Sequence, residues 1–234
     1  MHDLTAVILC GGKGERLRPF TDKLPKPLVP LKGKPILHHL LRYLSTEGIN
    51  RFILCTGYKA EAIDEFAKNC NEPGWELICV NSGDVSMTDR LADASKHLSG
   101  RSLICYGDTL ANVDVEALYR EHCSSGAKLT MTVYPLHSPF GIVEVTEDGF
   151  VTEFREKPVL PYWVNIGFML CELEAIRGIR RGGDMVPFLA EQASSGALRA
   201  FKHNGKHLTI NTEKERVKAE SEIIEFFSVV DGQA

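Results

Sequence analysis

The residues best suited to chemistry lie near the start of the chain. Positions 9–19 read Leu-Cys-Gly-Gly-Lys-Gly-Glu-Arg-Leu-Arg-Pro, and positions 25–30 read Pro-Lys-Pro-Leu-Val-Pro. Gly11, Gly12 and Gly14 follow an apolar run, Thr-Ala-Val-Ile-Leu, that ends at Leu9. Glycines let the backbone turn sharply and bring its N–H groups against a bound group. Consecutive N–H groups of this kind form an anion nest. Arg16 adds a forked cation that matches phosphate oxygens. A glycine-rich turn with solvated cations would also account for the loop taken alone. Its spacing is neither the dinucleotide G-x-G-x-x-G nor a P-loop, since no G-K-[ST] follows. Lys26 shifts the balance. Pro25 and Pro27 fix φ on either side of it and restrict its neighbours; a merely solvated lysine needs no such bracing. The segment from Lys13 to Lys34 holds seven basic and two acidic residues, a local charge of +5 in a chain whose net charge is −4. The average excludes a globally basic nucleic-acid binder. The local reversal marks a compact site for phosphates.

Short apolar runs alternate with amphipathic segments, and these must position the loop. Residues 5–9, 51–55, 76–80, 102–106 and 129–136 are expected as strands, and 35–46, 60–70, 89–98 and 114–124 as helices, from period and length. That β-α-β-α rhythm predicts a mostly parallel sheet covered on both faces by helices. After Pro135 the rhythm changes. Residues 141–145 and 149–154 straddle a Thr-Glu-Asp-Gly turn and read as a hairpin. Strands follow at 165–171, 198–202 and 208–210, and helices at 184–194 and 213–227, with 229–234 expected to fray. The 234 residues, 44% hydrophobic and 25% charged, suit one α/β domain over residues 1–234, a Rossmann-like three-layer sandwich with a mixed sheet and a small β-hairpin addition. No apolar run reaches membrane-spanning length, and the N-terminus shows no leader pattern. The seven cysteines include no C-x-x-C and lie mostly in apolar runs, which favours buried thiols in a reducing cytoplasm over zinc or disulfides.

The glycine loop, Arg16 and the downstream Pro-Lys-Pro together resemble the signature of the nucleotidyltransferases that activate sugar 1-phosphates. Further segments follow in the matching order: Cys55-Thr-Gly-Tyr-Lys, Tyr106-Gly-Asp, Phe140-Gly, Glu156-Lys-Pro, Asn165-Ile-Gly, and a terminal His203-Asn-Gly leading to Asn211-Thr. Within that family the chain most resembles glucose-1-phosphate cytidylyltransferases. The resemblance implies NTP + sugar 1-phosphate → NDP-sugar + pyrophosphate, with CTP as donor. It implies that Leu9, Gly11, Gly12, Gly14 and the segment Ser86, Met87, Thr88, Asp89 hold the nucleotide. Arg16 would meet the triphosphate, and Lys26 the α-phosphate and transition state. Asp108 would hold Mg²⁺, although a lone aspartate after glycine is otherwise a common turn or cap residue. Lys157 would meet the sugar phosphate and Glu156 a sugar hydroxyl, with Gly141, Asn165 and Gly167 lining the sugar pocket.

Two departures stand out. Where the family places a second metal-binding aspartate, this chain has Asn211, which still offers a carbonyl oxygen but one negative charge fewer. Asn211 reads equally as the N-cap of the last helix. The base-recognition run, usually Thr-Gly-Gly or Thr-Ala-Gly, is Ser86-Met-Thr-Asp-Arg-Leu here. Thr88 and Asp89 are therefore expected to protrude towards the base, or Asp89 to cap the helix. A GTP-dependent heptose-phosphate guanylyltransferase and a non-catalytic nucleotide-sensing relative are the alternatives; a dinucleotide oxidoreductase lacks its glycine spacing. The sequence sets no oligomeric state, and the hairpin region leaves a homodimer open.

Overall fold

The structure is a computed structural model that describes residues 4–231. Its first half runs β1 (Thr5–Leu9), α1 (Phe20–Lys23), β2 (Pro30–Leu31), β3 (Lys34–Pro35), α2 (Ile36–Thr46), β4 (Arg51–Thr56), α3 (Ala60–Asn69), β5 (Glu76–Asn81), α4 (Met87–Ala94), β6 (Ser102–Tyr106), β7 (Thr109–Ala111) and α5 (Val115–Ser125). The second half runs β8 (Leu129–His137), β9 (Ile142–Val145), β10 (Val151–Arg155), β11 (Val159–Cys171), α6 (Leu173–Arg177), α7 (Met185–Ser194), β12 (Leu198–Lys202), β13 (His207–Thr209) and α8 (Glu213–Asp231).

Seven strands form the central sheet in the order β12-β8-β11-β6-β1-β4-β5. β5, β4, β1 and β6 are parallel, β12 is parallel to β8, and β11 runs against both β6 and β8. The apolar runs have a direct cause. In β1, Ala6 and Ile8 enter one core together with Phe52, Leu54, Leu103 and Phe168. Val7 enters the other, with Ile53, Ile104 and Met169. Alternate side chains point to opposite faces, so a strand covered on both sides must be apolar throughout. α2, α3, α5 and α8 cover the first face, and α4, α6 and α7 the second. The expected three-layer α/β sandwich is thus observed.

Boundaries moved for local reasons. α4 starts at Met87 rather than Asp89, because Ser86 Oγ accepts from Asp89 N at 3.2 Å and caps the helix two residues early. Its far end tightens into a 3-10 turn, Ser95–His97. β11 begins at Val159, six residues before the expected start, because its first half keeps pairing with β8 beyond the sheet, Val159 opposite His137 and Trp163 opposite Pro135. α8 stays helical to Asp231, so the fraying expected at 229–231 is replaced by helix; residues 232–234 lie outside those described. Four parallel strands end at Leu9, Thr56, Asn81 and Tyr106, so the loops that follow them meet at one sheet edge, where open α/β folds bind ligands.

Candidate active site

A cleft of about 550 Å³ opens at that edge, lined by Leu9 through Gly12, Gly14, Glu15, Arg16, Lys26, Pro27, Met87, Arg90 and Tyr106 to Asp108. The glycine loop forms its floor. Gly14 is left-handed, at φ +63°, and a Cβ there would come within 2.9 Å of the Lys26 Cβ. Only glycine both adopts that backbone without strain and lets the lysine stem pack so closely. The chain then tightens into a 3-10 turn, Glu15–Leu17, whose Leu17 is buried.

Lys26 opens a second 3-10 turn after extended Pro25. Its side chain is buried, and its Nζ donates to Asp108 Oδ2 and to Asn211 Oδ1, the latter at 2.9 Å. Arg16 Nη2 donates to the same Asn211 oxygen at 3.0 Å. Two cations, 195 and 185 positions away in sequence, therefore close on one amide oxygen. A small ribbon makes this happen. β7 follows Asp108 directly and pairs antiparallel with β13, Thr109 opposite Thr209, which carries Asn211 to the same end as Asp108. Gly107 N bonds Leu9 O at 3.1 Å and ties Asp108 to the start of the glycine loop.

Asn211 does not cap α8. Thr212 does: Glu215 N donates to Thr212 Oγ1 at 3.2 Å, while Glu215 Oε2 accepts from Thr212 N at 2.9 Å and from Asn211 N at 2.7 Å. This reciprocal capping box satisfies the helix start and releases the Asn211 side chain for the cleft. The four side chains then carry a formal charge of +1, two cations against one carboxylate, where an aspartate at 211 would leave none. The surplus favours a polyanion.

The base-side segment is placed differently from expectation. Met87 lines the cleft, but Ser86, Thr88 and Asp89 do not. Thr88 is buried and donates from Oγ1 to Gly183 O at 2.8 Å; Asp89 Oδ1 accepts from Gly182 N at 2.9 Å. Both anchor α4 to the turn after α6, so neither protrudes towards a base, and Asp89 is not the cap. Arg90 of the same segment does line the cleft. It is buried at the cleft wall, and its Nη2 donates to Gly11 O at 3.2 Å and Gly83 O at 3.0 Å. Its Nε has no partner among the described residues. A Cβ on Gly11 would sit 2.3 Å from that Nε, so this glycine is needed for packing against the guanidinium. An arginine between Asp89 and Leu91 carries no sequence signal for such a role. Cys10 also lines the cleft; burial pushes its thiol well up, with Cys55, Cys79 and Asp108 adding to it, so it stays protonated.

The residues expected on the acceptor side divide into two sets. Asn165 Nδ2 donates to the Tyr106 hydroxyl at 3.3 Å, and its Oδ1 accepts from Gly167 N at 2.8 Å. Gly167, left-handed at φ +81°, leaves no room for a Cβ beside the Tyr106 ring. These two residues hold Tyr106 at the cleft wall. Gly141 and Glu156 meet each other outside the lining, a Gly141 Cβ falling 3.1 Å from Glu156 Oε2. Lys157 is exposed, its Nζ 3.7 Å from Glu156 Oε1.

The Mg²⁺ that the resemblance implies must be weighed against these donors. Mg²⁺ takes hard oxygens and commonly uses one or two carboxylates plus substrate phosphates. Asp108 and the Asn211 carbonyl supply that chemistry, and both already point at Lys26. Among the described residues no cluster of three or more His, Cys, Asp or Glu could hold a metal by itself. The donors thus fit an ion that shares its coordination with bound phosphates.

The nucleotidyl transferase family profile matches residues 5–177. The glucose-1-phosphate cytidylyltransferase of Salmonella typhi is 32% identical over 246 aligned positions, spanning 93% of this chain and 95% of that one. The D-glycero-alpha-D-manno-heptose 1-phosphate guanylyltransferase of Aneurinibacillus thermoaerophilus is 33% identical over 66% of this chain and 68% of its own. Among solved structures, HddC from Yersinia pseudotuberculosis superposes with a TM-score of 0.74 at 23% identity, over 95% of this chain and all of that one, and shares the fold. No helix among the described residues is long and apolar enough to cross a membrane. With the glycine loop, the braced lysine and the sheet-edge aspartate in one cleft, and with these matches running along its length, the chain belongs to the nucleotidyl transferase family and is a sugar-phosphate nucleotidyltransferase.

Proposed function

We propose that the protein joins CTP to a sugar 1-phosphate, releasing pyrophosphate, with Mg²⁺ as its metal and the cytoplasm as its compartment. The observation that carries this reading is the buried Lys26 ammonium held between Asp108 and Asn211 beside the glycine loop. A phosphate oxygen of the acceptor attacks the α-phosphorus. The new O–Pα bond forms as the Pα–O bond to the β-phosphate breaks, and pyrophosphate departs with that electron pair. The attacking phosphate is already anionic, so the protein needs no nucleophile of its own. Its work is to align two polyanions and to neutralise charge at the α-phosphate. Lys26 supplies an ammonium that exchanges its Asp108 contact for the α-phosphate. Arg16 meets the triphosphate, and the N–H groups of Gly11, Gly12 and Gly14 cradle it. Asp108 and Asn211 would hold Mg²⁺, which when bound shields the phosphates from one another. Asn165 and Gly167 face the sugar through Tyr106, and Glu156 and Lys157 receive its hydroxyls and phosphate.

CTP is favoured by the Salmonella typhi relative, which aligns along nearly the whole chain. GTP is the second reading, favoured by the heptose-phosphate guanylyltransferase that aligns over two-thirds of it. Incubation with Mg²⁺, each NTP in turn and a panel of phosphorylated sugars, scored by pyrophosphate release, tests both. Release with CTP is expected. Release with GTP or UTP alone overturns the choice of base, and no release with any pair overturns the reaction. In Asn211→Asp the restored carboxylate is expected to lower the Mg²⁺ concentration for half-maximal rate; an unchanged titration removes residue 211 from the metal site.

A further inference from the structure

Parity along the strands shows which side chains share a face at the carboxyl edge of the sheet. Cys105 of β6, Tyr134 of β8, Val164 and Ile166 of β11 and Phe201 of β12 all enter or pack against the first core. Successive side chains alternate, so Tyr106, Val133, Pro135, Trp163, Asn165 and Lys202 stand on the other face. Register aligns them: Asn165 is opposite Val133, Val133 opposite Lys202, and Trp163 opposite Pro135. Tyr106 joins through its hydroxyl, which accepts from Asn165 Nδ2 at 3.3 Å. The row thus crosses β6, β11, β8 and β12 in their order in the sheet. At a strand spacing of about 4.8 Å it runs roughly 14 Å. Its near end is set by Asp108, which follows Tyr106 and Gly107 and holds Lys26. Its far end is Lys202.

Lys202 is exposed, and its Nζ stands over the Trp163 ring, 4.8 Å from the centroid. No carboxylate among the described residues pairs with it. Attraction to the negative face of the indole holds this flexible side chain in place without neutralising it. Neither residue lines the donor cleft. On the functional reading above, which this step rests on, the attacking phosphate is already met by Lys26 and Lys157. A cation at the opposite end of the row answers a second negative charge. We infer that Trp163 and Lys202 form a far subsite for the acceptor, and that the acceptor carries a second anionic group, a carboxylate or a phosphate, at the end remote from the attacking phosphate. Between the two ends the row is apolar: Val133, buried, and Pro135 offer no competing charge. The indole gives ring C–H groups a flat surface to pack on, and the Lys202 ammonium meets the anion beyond. The Asn165 amide is engaged with Tyr106 and Gly167, so it stiffens the row rather than reaching for that anion. Selectivity for the far group is thereby set without disturbing the α-phosphate groups.

The test is calorimetric titration of the whole protein, without NTP, with glucose 1-phosphate, glucuronic acid 1-phosphate and glucose 1,6-bisphosphate. At least one of the two probes with a charged far end is expected to bind about tenfold more tightly than glucose 1-phosphate, the scale of one hydrogen bond to a charged group. The gap should narrow as salt is raised. A preference for the glucuronic acid probe alone makes the far group a carboxylate, and one for the bisphosphate alone makes it a phosphate. A lysine that merely covered the indole with its stem would show neither. Lys202→Met keeps that stem and removes the charge, so the ratio of affinities should fall to near unity, and Lys202→Arg should restore it. Equal affinities in the wild type, no binding of any probe, or a preference that survives in Lys202→Met overturns the inference. Binding is read without turnover, so a preference lost with the Lys202 charge upholds the subsite even if no pyrophosphate is ever released. Turnover of glucose 1-phosphate with no preference among the probes upholds the reaction and removes the subsite.

Discussion

In the donor cleft Lys26 is 8% exposed and Arg90 6%, and each is tied to residues far away in sequence. On the acceptor side every residue of β10 is exposed. On the function proposed above the two regions serve one reaction, and they rest on different supports. The glycine loop and Asp108 follow the ends of buried parallel strands, and the Lys26 stem packs against that loop. The acceptor groups hang from the β9–β10 ribbon, with one bulge and a few surface ion pairs, which contribute little in water. The α-phosphate chemistry needs pre-set geometry. Sugar recognition can tolerate, and be retuned through, a support that changes without disturbing the sheet.

Three measurements sharpen or break that contrast. The largest effect is expected from Lys26→Ala, a fall in kcat on the order of 10²–10³, as for loss of one pre-set electrostatic contact. Pyrophosphate release checks it, and full activity would show that the braced lysine is not the reacting cation. Next comes acid sensitivity confined to the buried region. Burial, with His203 close by, lowers the His207 pKa from 6.5 to about 4. The unfolded chain then binds the proton first. Stability is whole above pH 6.5, falls as pH drops towards 4, and levels off below. The loss is up to about 3 kcal/mol for this group, read from urea midpoints across that range; His207→Gln should flatten the slope. The smallest effect is expected from Glu156→Gln, a rise of about tenfold in the acceptor KM, worth about 1.4 kcal/mol, with the NTP KM unchanged. Equal rises in both would dissolve the distinction between the two regions.

The strands were legible because burial on both faces leaves an unbroken apolar signature, as in residues 5–9 and 102–106, where the expected and observed limits coincide. β7 and α6 escaped notice, since three and five residues are too short for any period to register. The glycine loop, Arg16, Lys26 and Asp108 were legible as residue types in order, and the structure brings them together. Direction was not legible. The absence of glycine at 86–89 implied side chains facing the base, yet Thr88 and Asp89 found backbone partners at Gly183 and Gly182. Arg90 was hidden for the same reason, because its position depends on three loops converging. Asn211 looked like a cap because it borders a helix; only the Thr212–Glu215 pairing shows which residue caps it.

The β7–β13 ribbon has a consequence for the timing of synthesis. Arg16, Lys26 and Asp108 leave the ribosome well before Asn211, which waits for a strand that pairs back to β7 and for a helix that seals the face over α2. At about 5–20 residues per second, the first half of the cleft exists for several seconds with its two cations unbridged. Asn211 reaches the cleft only when β13 pairs with β7, so the amide that bridges the two cations is the last of the four groups to be made.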